Sequence, residues 1–162
     1  MEHLAILLLG SNLGNRQQHL ETAERYLQSI VGKIEKKSAI YASRAWGKTD
    51  QPDFLNRVIS FNTDSTPMDL LDKLLAIESK FGRVRTEKWG PRVLDLDILY
   101  YDDLVYSDNR LTIPHPGISG RRFTLVPLCE IYPEKLHPVY QLNNMTLLDK
   151  CTDQGEVIKI EE

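Results

Sequence analysis

Leu4 to Leu9 is an unbroken apolar run closed by Gly10, the pattern of a strand buried on both faces. After the turn Gly10-Ser11-Asn12-Leu13-Gly14, Asn15 is placed to cap a helix. Its apolar positions Leu20, Ala23, Leu27 and Ile30 recur at helical spacing, and Gly32 is read as its stop. Lys33 to Arg44 alternates loosely as a strand, and Gly47 to Pro52 is a turn-rich loop. Phe54 to Phe61 reads as a second long strand with a β-branched centre. The clearest helix follows: Thr66 as cap, Pro67 in the first turn, Asp69 at the positive end of the dipole, and Gly82 at the close. Leu70, Leu71, Leu74, Leu75, Ile77 and Phe81 are its expected buried stripe. A charged loop from Arg83 to Arg92 leads into a strand over Val93 to Tyr101, and turn residues then dominate until an apolar segment from Phe123 to Ile131. Strand, helix, two strands, helix, strand predicts an α+β domain. Helices covering one side of a mostly antiparallel sheet satisfy that order, with a split βαβ or ferredoxin-like core as the nearest plan.

Composition narrows the class. The 162 residues carry 20 Lys plus Arg against 23 Asp plus Glu, a net charge of −3, with 41% hydrophobic residues. That suits one ordinary core and excludes a collagen-like chain, a disordered tail and a disulfide scaffold. A dedicated duplex-binding protein carries a basic excess that is missing here. Cys129 and Cys151 stand apart from any metal or redox spacing and are expected to be reduced. The apolar run at Leu4–Leu9 is too short for a signal-peptide core or a membrane span, so the expected compartment is the cytoplasm.

Asp95-Leu96-Asp97 is the strongest chemical signal. On a strand the two carboxylates share one face about 7 Å apart while Leu94, Leu96 and Ile98 face the other way. Two anions so close repel unless protonated or bridged by cations. Oxygen-only ligation favours Mg²⁺, and paired metals are a standard clamp for displacement at phosphorus. A strand face that simply meets water is the alternative. Against it, Arg83, Arg85, Lys88 and Arg92, interleaved with Trp89, lie immediately upstream, and Arg110, Thr112, His115, Arg121 and Arg122 lie downstream. Acids to hold a metal and guanidinium forks for the remaining oxygens together favour a nucleotide phosphate. Phe54 and Asn56 share a strand face and suit a flat heterocycle, by stacking and through paired donors and acceptors. Gly47-Lys48-Thr49 is no Walker loop, because Ala42 stands where the motif needs glycine. His3, His19 and His137 have no ligand-spaced partner and read as surface or structural residues.

Four segments in this order resemble the 6-hydroxymethyl-7,8-dihydropterin pyrophosphokinase family of folate biosynthesis: LLLGSNLGNR at 7–16, DQPDFLNRV at 50–58, GRVRTEKWGPRVLDLDILYYDD at 82–103 and LTIPHPGISGRRF at 111–123. The resemblance implies a three-layered αβα fold with a ferredoxin-like centre, a single catalytic domain acting as a monomer. It implies ATP as co-substrate and a dihydropterin as acceptor, with AMP released. Asp95 and Asp97 then hold two Mg²⁺ ions, Arg83 and Arg92 bind phosphate, and Trp89 belongs to a closing loop. Phe54 and Phe123 sandwich the pterin, Asn56 bonds its edge, and the backbone at Ser43 and Trp46 lines its pocket. Arg110, Thr112, His115 and Arg121 surround the nucleotide. The chain departs from the family where it reads Ser43-Arg44-Ala45-Trp46 in place of a Thr-Pro-Pro-Leu-like stretch. Pro116 replaces a frequent tyrosine, and the charged loop is one residue shorter than in some members. A related Mg²⁺-dependent kinase and an RNA-binding module are the rival readings. The acidic balance and the Asp95/Asp97 pair weigh against the second.

Overall fold

The computed structural model describes residues 2–44, 52–82 and 93–160. Eight strands and four helices are assigned among them: β1 (His3–Ser11), α1 (Arg16–Ile30), β2 (Gly32–Lys37), β3 (Ile40–Ser43), β4 (Phe54–Thr63), α2 (Pro67–Lys80), β5 (Asp95–Tyr101), β6 (Tyr106–Ser107), β7 (Thr112–Ile113), α3 (Arg122–Ile131), α4 (Asn144–Lys150) and β8 (Val157–Ile160). The main sheet runs β5-β1-β4-β3-β8, and β2 also pairs with β4. All of its pairings are antiparallel. With β2 and β3 counted as one interrupted strand, the order is fourth, first, third, second, which is the split βαβ plan.

The caps form as the sequence expects. The Asn15 side chain accepts from Gln18 N–H and the Thr66 side chain from Asp69 N–H. α1 ends at Ile30 with Val31 as its C-cap, so Gly32 stands just past the helix as expected and also opens β2, where a Cβ would lie 1.9 Å from the Asn62 carbonyl oxygen. The single strand expected over Lys33–Arg44 is broken at Ser38. There the serine Oγ accepts from Val58 N–H, and the Ala39 N–H leaves the ladder for Glu130. In α2, Leu75 faces solvent at 46% exposure, whereas Glu78, 5% exposed, occupies the buried stripe.

Helices cover both faces of the sheet, not one. Ala5, Leu7 and Leu9 pack with Leu20 and Leu27 of α1 and Leu70, Leu74 and Ile77 of α2. Ile6, Leu8 and Val58 pack with Leu125 and Leu128 of α3 and Leu147 of α4. The one-sided arrangement drawn from the pattern is therefore corrected to three layers. Pro127 lies inside α3 and α4 has only seven residues, so neither shows a long helical period. Both cysteines are free, and burial together with Asp149 pushes the Cys129 thiol up to about 11. No helix among the described residues is long and apolar enough to cross a membrane.

Candidate active site

Strand register brings the acids and the amide together. Gly10 at the end of β1 lies opposite Asn56 of β4 on one side and Asp95 of β5 on the other. Directly opposed residues of antiparallel strands share a face, so Asn56, Gly10 and Asp95 form one row across three strands. Leu8 lies opposite both Val58 and Asp97, which puts Asp97 on the same face one step deeper. Leu94, Leu96 and Ile98 belong to the opposite core, as the alternation predicts. Asp95 and Asp97 are both half-buried.

Gly10 is required by this row. A Cβ at Gly10 would lie 2.7 Å from Asn56 Oδ1, and the Phe54 ring is the next neighbour at 3.6 Å. Asn56 cannot yield easily: it is 3% exposed, and its Nδ2 donates to Ser43 Oγ at 3.2 Å. The sequence reading gave Ser43 only a backbone role. Its hydroxyl in fact sets the orientation of the amide. The turn after β1 also steadies this corner, since Asn12 Nδ2 donates to the Pro52 carbonyl and Arg16 Nη1 to the Asp53 carbonyl. Both anchors lie just ahead of Phe54, so the Gly-Ser-Asn turn and its arginine fix the entry into β4.

On the α3/α4 face, His115 lies beside the acids. Its Nδ1 accepts from Gly117 N–H at 2.9 Å, leaving the ring proton on Nε2, which is 3.9 Å from Asp97 Oδ1. Burial, followed by the positive charge of Arg121, pushes His115 down to about 4, against the pull of Asp95, so the imidazole is neutral at neutral pH. The Arg121 guanidinium passes over Gly117, where an added Cβ would lie 2.9 Å from Cζ, and stands 5.8 Å from the Phe123 ring. Phe123 opens α3 and packs, half-buried, against the core on that face. Thr112 and His115 line a recess of about 240 Å³ with Tyr106, Pro116, His137 and Tyr140. Arg110 is held elsewhere, by Asp72 of α2 at 2.7 Å, with both side chains exposed. Trp46, Arg83, Arg85, Lys88, Trp89 and Arg92 lie outside the described residues.

His137 is structural, as the sequence suggests: its Nδ1 accepts from Val139 and Tyr140 N–H, and its ring stacks on Tyr140. Among the described residues no group of three or more His, Cys, Asp or Glu side chains could enclose a metal. The Asp95/Asp97 pair offers carboxylate oxygens, the ligand type of a hard cation. One residue that touches the backbone between the two aspartates was not singled out from sequence: Glu78, whose Oε2 accepts from Leu96 N–H at 2.8 Å. The spacing Leu74, Glu78, Phe81 was its signal, an acid at a stripe position.

The class is set by these features: a split βαβ sheet with helices on both faces and, at the mouth of one face, a carboxylate pair in line with an oriented amide. The family model described as 7,8-dihydro-6-hydroxymethylpterin-pyrophosphokinase (HPPK) matches residues 6–133, and the chain belongs to that family. The 2-amino-4-hydroxy-6-hydroxymethyldihydropteridine pyrophosphokinase of Synechocystis sp. is 46% identical over 137 residues, 84% of this chain and 70% of that protein. The enzyme of the same name from Haemophilus influenzae is 40% identical over 157 residues, 96% of this chain and 97% of its own length. The folic acid synthesis protein fol1 of Schizosaccharomyces pombe is 39% identical over 94% of this chain, which corresponds to only 21% of fol1. Among solved structures, Plasmodium falciparum HPPK-DHPS with pterin and p-hydroxybenzoate superposes with a TM-score of 0.76 at 19% identity. That match covers 93% of this chain and 43% of the other, and it supports the fold alone.

Proposed function

We propose that this chain transfers a diphosphate from ATP to the hydroxymethyl oxygen of 6-hydroxymethyl-7,8-dihydropterin, giving the pterin diphosphate and AMP. Membership of the pyrophosphokinase family supports the reaction. The observation that carries the site is the row Asn56–Gly10–Asp95, in which an oriented amide and a carboxylate sit on neighbouring strands of one face. In this reading Asn56, with Oδ1 presented over Gly10 and Nδ2 held by Ser43, bonds the polar edge of the pterin, while Phe54 and Phe123 flank its rings. The backbone at Ser43 and Trp46 closes the pocket wall, and Trp89 covers it.

Asp95 and Asp97 would hold two Mg²⁺ ions. When bound, these ions offset the triphosphate charge and favour attack at the β-phosphorus. The remaining work of the chain is positioning and charge neutralisation. Arg83, Arg92 and Arg121 take phosphate oxygens. Thr112 and His115 border the nucleotide, and the neutral His115 is a donor through Nε2. Arg110 joins them on release from Asp72, at small cost because water screens an exposed ion pair. The acceptor oxygen bonds to the β-phosphorus as the bridge to the α-phosphate breaks, its electron pair leaves on AMP, and the hydroxyl proton passes to solvent. We read the chain as one catalytic domain, acting as a monomer in the cytoplasm, where ATP and unpaired thiols coexist.

Incubation with ATP, Mg²⁺ and the pterin alcohol, followed by ³¹P NMR, tests the reaction. Equimolar AMP and pterin diphosphate are expected, whereas ADP with a pterin monophosphate contradicts the reading. Gly10→Ala tests the pocket. The displaced Asn56 amide should weaken pterin binding about tenfold to a hundredfold, with little change in nucleotide affinity. Titration calorimetry showing an unaltered pterin affinity removes Asn56 from the proposed contact.

A further inference from the structure

The structure assigns to Glu78 a part in the reaction: it is the positioning residue that sets the Asp95/Asp97 pair, through the backbone between them. Among the described residues β5 is the edge strand of the main sheet, so its outward N–H groups face no further strand there. The one at Leu96, midway between the two aspartates, donates to Glu78 Oε2 at 2.8 Å. Glu78 sits in the last turn of α2 and is 5% exposed, and Leu96 itself is 6% exposed. A buried carboxylate on a backbone N–H is a strong, directional bond. Cutting it frees the outer edge of the strand at the point where both acidic side chains originate. Solubility does not explain an acid on this stripe, because its neighbours Leu74 and Ile77 are core residues.

This inference rests on the assignment of Asp95 and Asp97 to metal binding, and its test is arranged to separate the two. Glu78→Gln keeps an acceptor oxygen at the same reach without the charge. Glu78→Asp keeps the charge but falls short of Leu96 N–H by one methylene. Each is compared with wild type for kcat, for the Mg²⁺ concentration giving half-maximal rate, and for Mn²⁺ affinity by electron paramagnetic resonance with α,β-methylene-ATP present. Glu78→Asp is expected to lower kcat about a hundredfold and to weaken Mn²⁺ binding about tenfold, the scale of a misplacement near 1 Å. Its Leu96 amide should also lose protection from hydrogen exchange. Glu78→Gln should stay within about fivefold of wild type in every readout.

Equal defects in the two variants would make the charge, not the hydrogen bond, the active feature and overturn the inference. It fails equally if Glu78→Asp loses thermal stability while its Mn²⁺ affinity and Mg²⁺ dependence hold. A wild-type protein that binds no Mn²⁺ with the nucleotide defeats the metal assignment instead.

Discussion

Asp97→Ala should lower kcat by about three orders of magnitude or more at saturating ATP and Mg²⁺, and Asp95→Ala should do the same. The fold should persist in both. Each side chain is half-buried at the mouth of one face and takes no part in the opposite core, which Leu94, Leu96 and Ile98 supply. Thermal melts within a few degrees of wild type, beside a collapsed turnover, are therefore the expected combination. Near-wild-type turnover in either variant would contradict the assignment.

The second large effect is on stability and originates beside the pterin row. Arg57 follows Asn56 on β4 and points to the opposite face, where Nη1 donates to Glu24 Oε2 of α1 at 2.7 Å and Nε to the Ser38 carbonyl at 2.9 Å. The two side chains are only 3% and 9% exposed. Lys37 also reaches Glu24, at 3.3 Å, but from a half-exposed position. Glu24→Ala removes a carboxylate partner from the buried guanidinium and should cost about 3–5 kcal/mol. The paired change Glu24→Leu with Arg57→Met should recover most of that loss, because a buried ion pair is no more stabilising than well-packed apolar residues. Urea unfolding of the three proteins measures both. A Glu24→Ala loss below about 1 kcal/mol would show that the pair is not the tie between α1 and β4.

The sequence was most legible where one periodicity ran without interruption. The apolar run Leu4–Leu9 gave β1, and Thr66-Pro67 with its leucine spacing gave α2. Simple alternation placed Asp95 and Asp97 on one face with Leu94, Leu96 and Ile98 on the other. Elements stayed unread where the period was cut. Pro127 interrupts α3, α4 is two turns long, and Ser38 divides what looked like one strand.

The acids and Asn56 were found as residue types, but their alignment was not. It depends on Gly10 being opposite both Asn56 and Asp95, a register that no local pattern encodes. Glu78 was missed for a different reason. An acidic side chain near a helix end reads as exposed until the core around Leu74 and Ile77 is seen to enclose it. Arg83, Arg92, Trp46 and Trp89 rest on sequence resemblance, being outside the described residues.

In the proposed reaction Asp95 and Asp97 join the nucleotide to the pterin through divalent cations. Anomalous diffraction from crystals grown with Mn²⁺, α,β-methylene-ATP and the pterin alcohol tests it most directly. Two anomalous peaks at the Asp95 and Asp97 carboxylates are expected, with the pterin beside Asn56. Phosphates bound elsewhere, with no peak at either aspartate, would contradict it.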